Sequence, residues 1–299
     1  MQEELYALFR RNCPFVVREA FVAKSILGHE GNQVITRRNR DGQLIAATVI
    51  HGNAILMLCV DEPYRRQGLG SELLRLSEEI IQLAGHDEVI VGAGFDYLAP
   101  GVPTSRRYVP AVNEALDPRL DDSASAFFEK RGYDHSWGGN CFDMRFPLSE
   151  FRQKDRRIGD TLNGVTYRWA TPDDLEAVCA CTDDACAEFT PYYRDAWLYA
   201  EYSRERALIA TIGSKVVGTL IVSLETDGEG LSSIGCTTVR TDHRGEHIAV
   251  NLVTLGTAYL KERGMVDAYL SYTYSGLDYL YGQAGYKICI YYMMAKKTF

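Results

Sequence analysis

The sequence predicts an α/β protein with a mixed sheet, laid down as two similar domains in tandem. Three observations predict it. The chain has 299 residues, and at about 100 to 200 residues per domain that length favours two domains. Strand-like runs alternate with amphipathic helical runs, and the order of elements passes through once and then recurs. Hydrophobic residues at 46% and charged residues at 24% are ordinary for a folded chain and argue against disorder, collagen-like repeats and coiled coil.

In order along the chain, residues 2–27 read as helical, and QVITRR, DGQLIAATVIHG and AILMLCV read as three strands with turns at Asp41-Gly42 and Gly52-Asn53. After Val60 comes the turn DEPYRRQGLG, then SELLRLSEEIIQLAG, where Leu73, Leu74, Leu76, Ile80 and Ile81 form one apolar helix face. EVIVGAG reads as a fourth strand, SASAFFEKRGYD as a short helix closed by Gly132, and CFDMRF as the last strand of the first half. The charged stretch 151–164 reads as a linker between a first domain over 1–150 and a second over 165–299.

The second pass runs through VTYRWA, a helix opened by Thr171 and Pro172, and a hairpin of ALIATI with KVVGTLIVSLE around Gly213-Ser214. LSSIGCTTV, the turn RTDHRGEHIA, the long helix VNLVTLGTAYLKERG, then AYLSYTY, SGLDYLYGQAG and YKICIYYMMAKK complete it. The first half shows no evident counterpart of the opening strand VTYRWA. It is also longer in one place: 63 positions separate Arg65 from Phe128 and 37 separate Arg244 from Tyr281, so it carries 26 extra residues. These fall on the Pro- and Gly-rich passage 96–122, an insert long enough to lid a pocket.

Thirty-two Lys and Arg against 40 Asp and Glu give a net charge of -8, which repels phosphate backbones and anionic lipid and argues against nucleic acid or membrane as partner. The opening MQEELYALF lacks the basic residues of a secretory signal, and no apolar run reaches membrane length, so the expected location is the cytoplasm. The eight cysteines are scattered and are expected as free thiols. Cys179, Cys181 and Cys186 cluster, but without a neighbouring His or a CxxC pair, so no metal is expected.

The chemistry-bearing feature is a strand that runs into a Gly-containing turn and then a helix. Such a turn presents unbonded backbone N–H groups at the positive end of a helix dipole and suits a phosphate. In VDEPYRRQGLGSELL, Gly68 and Gly70 remove side-chain bulk, and Arg65 and Arg66 add positive charge. A related turn, HRGEHIA, stands at the same place in the second half.

Both halves resemble the Gcn5-related N-acetyltransferase (GNAT) family. That family's acyl-CoA loop has Arg or Gln, two residues, Gly, one residue, then Gly or Ala, after a strand ending in Val. Arg65, Gly68 and Gly70 match it; in the second half Arg244 and Ala249 match, while His247 stands where Gly is usual. The fold class implied is thus a tandem of acyl-CoA N-acyltransferase domains, with acetyl-CoA as cofactor. Its phosphates would be held by Arg65, Arg66, Gln67, Gly68, Leu69, Gly70 and Ser71 in one half, and by Arg244, Gly245, Glu246, His247, Ile248 and Ala249 in the other. Leu58 and Val60, or Thr237 and Val239, would offer strand backbone to the pantetheine arm.

A second landmark of the resemblance is a short helix ending in Tyr, three residues, then Gly and an aromatic residue. LYGQAGY supplies Tyr281, Gly285 and Tyr286, whereas AFFEKRGY has Phe128 at the tyrosine position. In family members the tyrosine donates a proton to the leaving thiolate, which makes Tyr281 the expected catalytic residue and favours the second half for catalysis. Packing is the competing reading for Tyr281, since tyrosines crowd the stretch from Tyr269 to Tyr292. A solvated helix start competes for His247, and an exposed loop for Arg106, Arg107 and Tyr108.

The resemblance implies direct attack of a small-molecule primary amine on the thioester, with no covalent enzyme intermediate. Asp61, Glu225, Asp227 and Glu229 stand near strand ends, yet nothing selects one as the base. A homodimer is compatible with this reading. The alternatives are a non-catalytic CoA-binding or scaffolding protein, because each half departs from the pattern once, and an amino-acyl transferase of similar doubled fold.

Overall fold

A computed structural model describes residues 1–14, 28, 30–92, 101–107, 113–135, 141–152, 156–224, 231–274 and 276–299. Tyr108, Glu225, Asp227 and Glu229, and the expected continuation of the first helix over 15–27, lie outside the described residues. The elements in chain order are α1 (Gln2–Asn12), β1 (Gln33–Arg38), β2 (Leu44–His51), β3 (Ala54–Val60), α2 (Leu69–Leu83), β4 (Glu88–Val91), β5 (Val102–Thr104) and α3 (Ser123–Glu129). There follow β6 (Cys141–Pro147), β7 (Thr161–Leu162), β8 (Val165–Trp169), α4 (Leu175–Ala185), α5 (Thr190–Tyr193), β9 (Glu205–Ile212), β10 (Lys215–Ser223) and β11 (Leu231–Val239). The last are α6 (Ile248–Glu262), β12 (Asp267–Tyr274), α7 (Asp278–Gly282), β13 (Lys287–Met293) and β14 (Ala295–Thr298). Helix α1 stops at Asn12 because Cys13 precedes Pro14, and a residue before proline is pushed out of the helical region.

The chain folds as two compact units. The first comprises Met1–Pro110, Leu116–Phe142 and Ile290–Phe299; the second comprises Ala111–Ala115 and Asp143–Cys289. The expected boundaries of 1–150 and 165–299 differ from this division at both ends, because 143–150 falls in the second unit and 290–299 in the first. Part of the expected linker is likewise sheet: Asn163 (φ 52°) and Gly164 (φ 82°) form the tight turn that joins β7 to β8.

The first unit has a five-stranded sheet in the order β1-β2-β3-β4-β14. Helix α2 buries Leu74 and Ile81 on one face of it with Ile50, Ile55, Val89, Val91, Phe128 and Tyr133. Helix α1 covers the other face with Leu5 and Leu8, against Leu44, Ala47, Val49 and Met57. Among the described residues β1 is the first strand of this sheet.

The second unit orders its strands β13-β6-β12-β11-β10-β9-β8-β7. Helix α6 lies close on this sheet because two glycines make room: a Cβ on Gly218 would stand 2.8 Å from Ile248 Cγ2, and one on Gly256 would stand 2.7 Å from Leu220 Cδ2. That approach fixes the head of α6 relative to the strands.

Each unit takes one strand from the other half of the sequence. In the first, β4 is flanked by C-terminal β14, with Ala295 opposite Val91 and Thr298 opposite Glu88. In the second, β12 is flanked by β6, and this strand brings Asp143. The buried Asp143 carboxylate accepts the Tyr269 hydroxyl at 2.7 Å and the Tyr272 N–H at 3.0 Å, holding Tyr272 in the left-handed region at φ 56°. Arg145, also on β6, pairs with Asp267 at the start of β12.

Candidate functional site

In the second unit, β11 and β12 run parallel and pair over Leu231–Ser233 opposite Asp267–Tyr269, where their pairing stops. The two strands then part. On the other side of β11 the register to β10 shifts, Thr238 facing Thr219 and Gly235 facing Ile221, so that Cys236 and Thr237 together oppose one residue. This is a β-bulge, and Cys236 takes φ 49° in it. The buried Tyr193 hydroxyl donates to the Cys236 carbonyl at 2.8 Å and fixes the kink.

Tyr281, at the end of the five-residue α7, is only 5% exposed and donates its hydroxyl to Thr237 Oγ1 at 3.2 Å. Burial pushes its pKa up to about 12, with the Thr237 hydroxyl pulling the other way. It is therefore a neutral proton donor whose oxygen sits at the bulged strand. Packing also holds the ring, whose centroid is 6.3 Å from that of Tyr286, and Tyr286 in turn bonds Thr257 on α6 at 2.9 Å. The packing and donor readings of Tyr281 are compatible: packing fixes the hydroxyl.

After β11 the chain turns through Thr241–His243 and enters α6 at Ile248. Gly245 has φ 87° and His247 φ 59°. In the first unit, Arg66 has φ 60° and Gly68 φ 92°, before α2 begins at Leu69. The two turns thus share one backbone pattern, left-handed at the second and fourth positions, with the glycine moved from one of those positions to the other. His247 keeps the conformation that Gly68 has. The first N–H groups of α2 and α6 have no acceptor within their own helices, and neither helix has a side-chain cap.

The surroundings of the two turns differ. Arg65 is engaged by its own unit, donating to the Val60 carbonyl at 2.9 Å and to Asn12 Oδ1 at 2.6 Å. Asp121, held below the ordinary carboxylate range by its bonds from Ser123, lies within the field of Arg65 and Arg66. Helix α3 comes down on the head of α2: Arg131 bonds Ser71 Oγ at 2.7 Å and stacks 3.7 Å over the Phe127 ring. That ring lies 3.5 Å from where a Cβ on Gly70 would stand, and Val60 is 3.8 Å from the same point. Phe128, at the place of Tyr281, is core, edge-on to Phe127 and Tyr133 at 5.3 and 5.1 Å. Leu58 packs on the same core. Phe127 and Arg131 carry no motif; only the Phe127-Phe128 doublet hinted that both sides of this helix would be apolar.

The remaining candidates have local structural roles. Asp61 accepts from Arg11 at 2.7 and 3.1 Å and from Asn12 at 2.9 Å. Arg106 pairs with Glu129. Arg244 reaches the Ala185 carbonyl only at 3.5 Å, so its guanidinium is loosely held. All eight cysteines are free, and burial raises the thiol pKa values of Cys179 and Cys181. Among the described residues no three His, Cys, Asp or Glu side chains group as a metal site, and no helix is long and apolar enough to cross a membrane.

A parted strand pair in the second unit, a bulged strand in each unit (that of β3 at Leu56, between Ile55 opposite Ile50 and Met57 opposite Val49) and two matching turns set the frame for comparison with known proteins. The family model described as "Acetyltransferase (GNAT) family" matches residues 3–94 and 169–279. The chain belongs to this family. Its GNAT repeats also match solved structures. A GCN5-related N-acetyltransferase from Sphaerobacter thermophilus aligns with TM-score 0.67 and 18% identity over 99% of this chain and 91% of its own. A tandem GNAT protein from the clavulanic acid biosynthesis pathway aligns with TM-score 0.69 and 15% identity over 99% and 94%. A fungal multi-domain GH3 beta-N-acetylglucosaminidase, described as holding a GCN5-related glucosamine N-acetyltransferase region, aligns with TM-score 0.71 and 17% identity; this chain is 99% covered and spans 37% of that one. At these identities the likeness is one of fold. No curated protein matches the chain in sequence. The chain is thus a tandem GNAT protein of mixed α/β fold, in a family of N-acetyltransferases.

Proposed function

We propose that the chain moves an acetyl group from acetyl-CoA to the primary amine of a small molecule, and that the second unit catalyses. The observation that carries this reading is the placement of the Tyr281 hydroxyl on Thr237, in the bulge of a strand that has just parted from its parallel neighbour. Acetyl-CoA supplies an acyl group activated as a thioester. The turn fits its phosphates, because Gly245 and His247 both hold left-handed backbone and leave the N–H groups at the head of α6 unbonded within the helix. Arg244, Gly245, Glu246, His247, Ile248 and Ala249 would hold the phosphates there, and Thr237 and Val239 lie on the strand that would take the arm. Tyr281 Oη holds the proton that a departing thiolate needs, and its raised pKa keeps that proton in place at neutral pH.

The first unit is better read as support. It has the more complete loop sequence, yet Phe127 and Arg131 occupy the space at the head of α2, and Phe128 has no proton to give. The non-catalytic reading is therefore favoured for this half alone.

Thiol release from acetyl-CoA over a panel of primary amines tests the function. Turnover of at least one amine is expected. Binding of CoA without turnover of any amine would leave a CoA-binding protein.

A further inference from the structure

The two bulged strands are held in different ways. In the first unit the carbonyl of Met57, three residues before the end of β3, accepts the Thr48 hydroxyl at 2.9 Å from the neighbouring strand β2, and no residue of β3 has a positive φ. In the second unit the carbonyl at the same place, that of Cys236, three residues before the end of β11, is held from outside the sheet. Tyr193 on α5 donates its hydroxyl to it at 2.8 Å, and Cys236 is left-handed at φ 49°. A residue with a side chain keeps that conformation only where its surroundings over-determine it, and such outliers gather where a site needs a fixed geometry. Satisfying a buried phenol does not by itself account for the arrangement. Thr219 on β10 also hydrogen-bonds this phenol, yet the Tyr193 proton goes to the strained residue.

Tyr193 is itself rigidly placed. It is fully buried among Val178, Leu198, Tyr199 and Ile209, and its own carbonyl accepts the Tyr199 hydroxyl at 2.7 Å. Burial raises its pKa well above the ordinary phenol value, so the hydroxyl remains a donor. Because a peptide unit is planar, the bond that fixes the Cys236 carbonyl also fixes the nitrogen of Thr237. Thr237 Oγ1 is the atom that accepts the Tyr281 hydroxyl at 3.2 Å. We infer that Tyr193 is a positioning residue for acetyl transfer, acting through the Cys236–Thr237 peptide on the placement of the Tyr281 proton, an inference that rests on the acetyl-transfer reading of this unit.

The test is a double-mutant cycle between Tyr193→Phe and Tyr281→Phe on a primary amine that the wild type acetylates. Tyr193→Phe alone is expected to lower kcat about tenfold, with KM for acetyl-CoA and for the amine within about twofold of wild type. In the Tyr281→Phe background the same substitution is expected to lower kcat by less than about twofold, because its effect passes through a proton donor that is already gone. A merely structural loss would reduce both backgrounds alike. Equal losses in the two backgrounds, a kcat of Tyr193→Phe within about twofold of wild type, or a loss carried by KM would overturn the assignment and leave acetyl transfer intact. Should Tyr193→Phe not fold, Tyr199→Phe, which frees only the Tyr193 carbonyl, enters the same cycle; a loss of about threefold that vanishes in the Tyr281→Phe background is then expected, and equal losses count against the assignment. A wild type that binds acetyl-CoA and acetylates no amine defeats the acetyl-transfer reading itself, and this assignment with it.

Discussion

The two units use one scaffold and differ at the few positions where chemistry would occur. Both have a bulged strand, a turn with left-handed residues at its second and fourth positions, and a 15-residue helix after it. The first has the loop sequence nearer the family pattern, but Phe127 and Arg131 lie against its helix start and Phe128 fills the place of the tyrosine. The second has a histidine at a glycine position, yet keeps the backbone and adds Tyr281. The difference teaches that a loop motif records backbone conformation, whereas access to the loop is decided by a neighbouring helix that the motif does not contain.

The largest expected effect tests whether the second unit is independent in sequence as well as in chemistry. Residues 151–299 expressed alone would lack β6 and so the Asp143 carboxylate that holds Tyr269 and Tyr272. Strand β12 would lose its neighbour and its left-handed residue would lose its anchor. This fragment should fail to show cooperative unfolding or turnover. A fragment that melts cooperatively with full activity would show that β6 is dispensable.

Tyr281→Phe should leave the fold and acetyl-CoA binding nearly unchanged and lower kcat by about a hundredfold, the scale of a lost general acid. In the wild type the pH profile carries the same information. The folded pKa of about 12 lies above the ordinary 10, so the neutral hydroxyl and the stability linked to it are fully present below pH 10 and fade as pH rises towards 12. No alkaline loss of kcat from this group is expected below pH 10. A kcat in Tyr281→Phe within twofold of wild type would return Tyr281 to a packing role.

The fold was legible where periodicity and turns speak locally. The hairpins, the amphipathic α2 and the helix opened by Thr171 and Pro172 could be read because their signals lie within a few residues of each other. The strand exchange could not. CFDMRF and YKICIYYMMAKK have the same apolar character, and nothing local says which sheet each joins. YKICIYYMMAKK is in fact two strands, β13 and β14, separated at Met294. Likewise Tyr281 and the two turns were visible as spacings, but Thr237 as partner to Tyr281, and Phe127 with Arg131 at the head of α2, depend on contacts between segments far apart in sequence.

A middle-sized effect would break the contrast from the other side. In the double variant Phe127→Ala with Arg131→Ala, the head of α2 loses the ring beside Gly70 and the guanidinium on Ser71. Titration with CoA should then rise from one site per chain to two, without any gain in acetyl transfer, because Phe128 still offers no proton. Stability should fall by about 1 to 3 kcal/mol for the lost aromatic packing. If the wild type already binds two CoA molecules, the first unit is open and the contrast in access is wrong.

The smallest effect is expected at His247. A residue with a Cβ pays about 1 kcal/mol to hold a left-handed conformation, and glycine would remove that cost. Glycine also gives the unfolded chain more freedom, worth about 0.4 to 1 kcal/mol in the opposite direction. His247→Gly should therefore change stability by less than about 1 kcal/mol, within the range where the two terms cancel. Acetyl-CoA affinity should stay equal or become modestly tighter, because the backbone at φ 59° already matches the conformation of Gly68. A calorimetric titration that instead shows more than about a tenfold loss of affinity, equivalent to 1.4 kcal/mol, would mean that the imidazole touches the ligand. The two turns would then hold a phosphate by different means, one through main chain alone and the other with a side chain added.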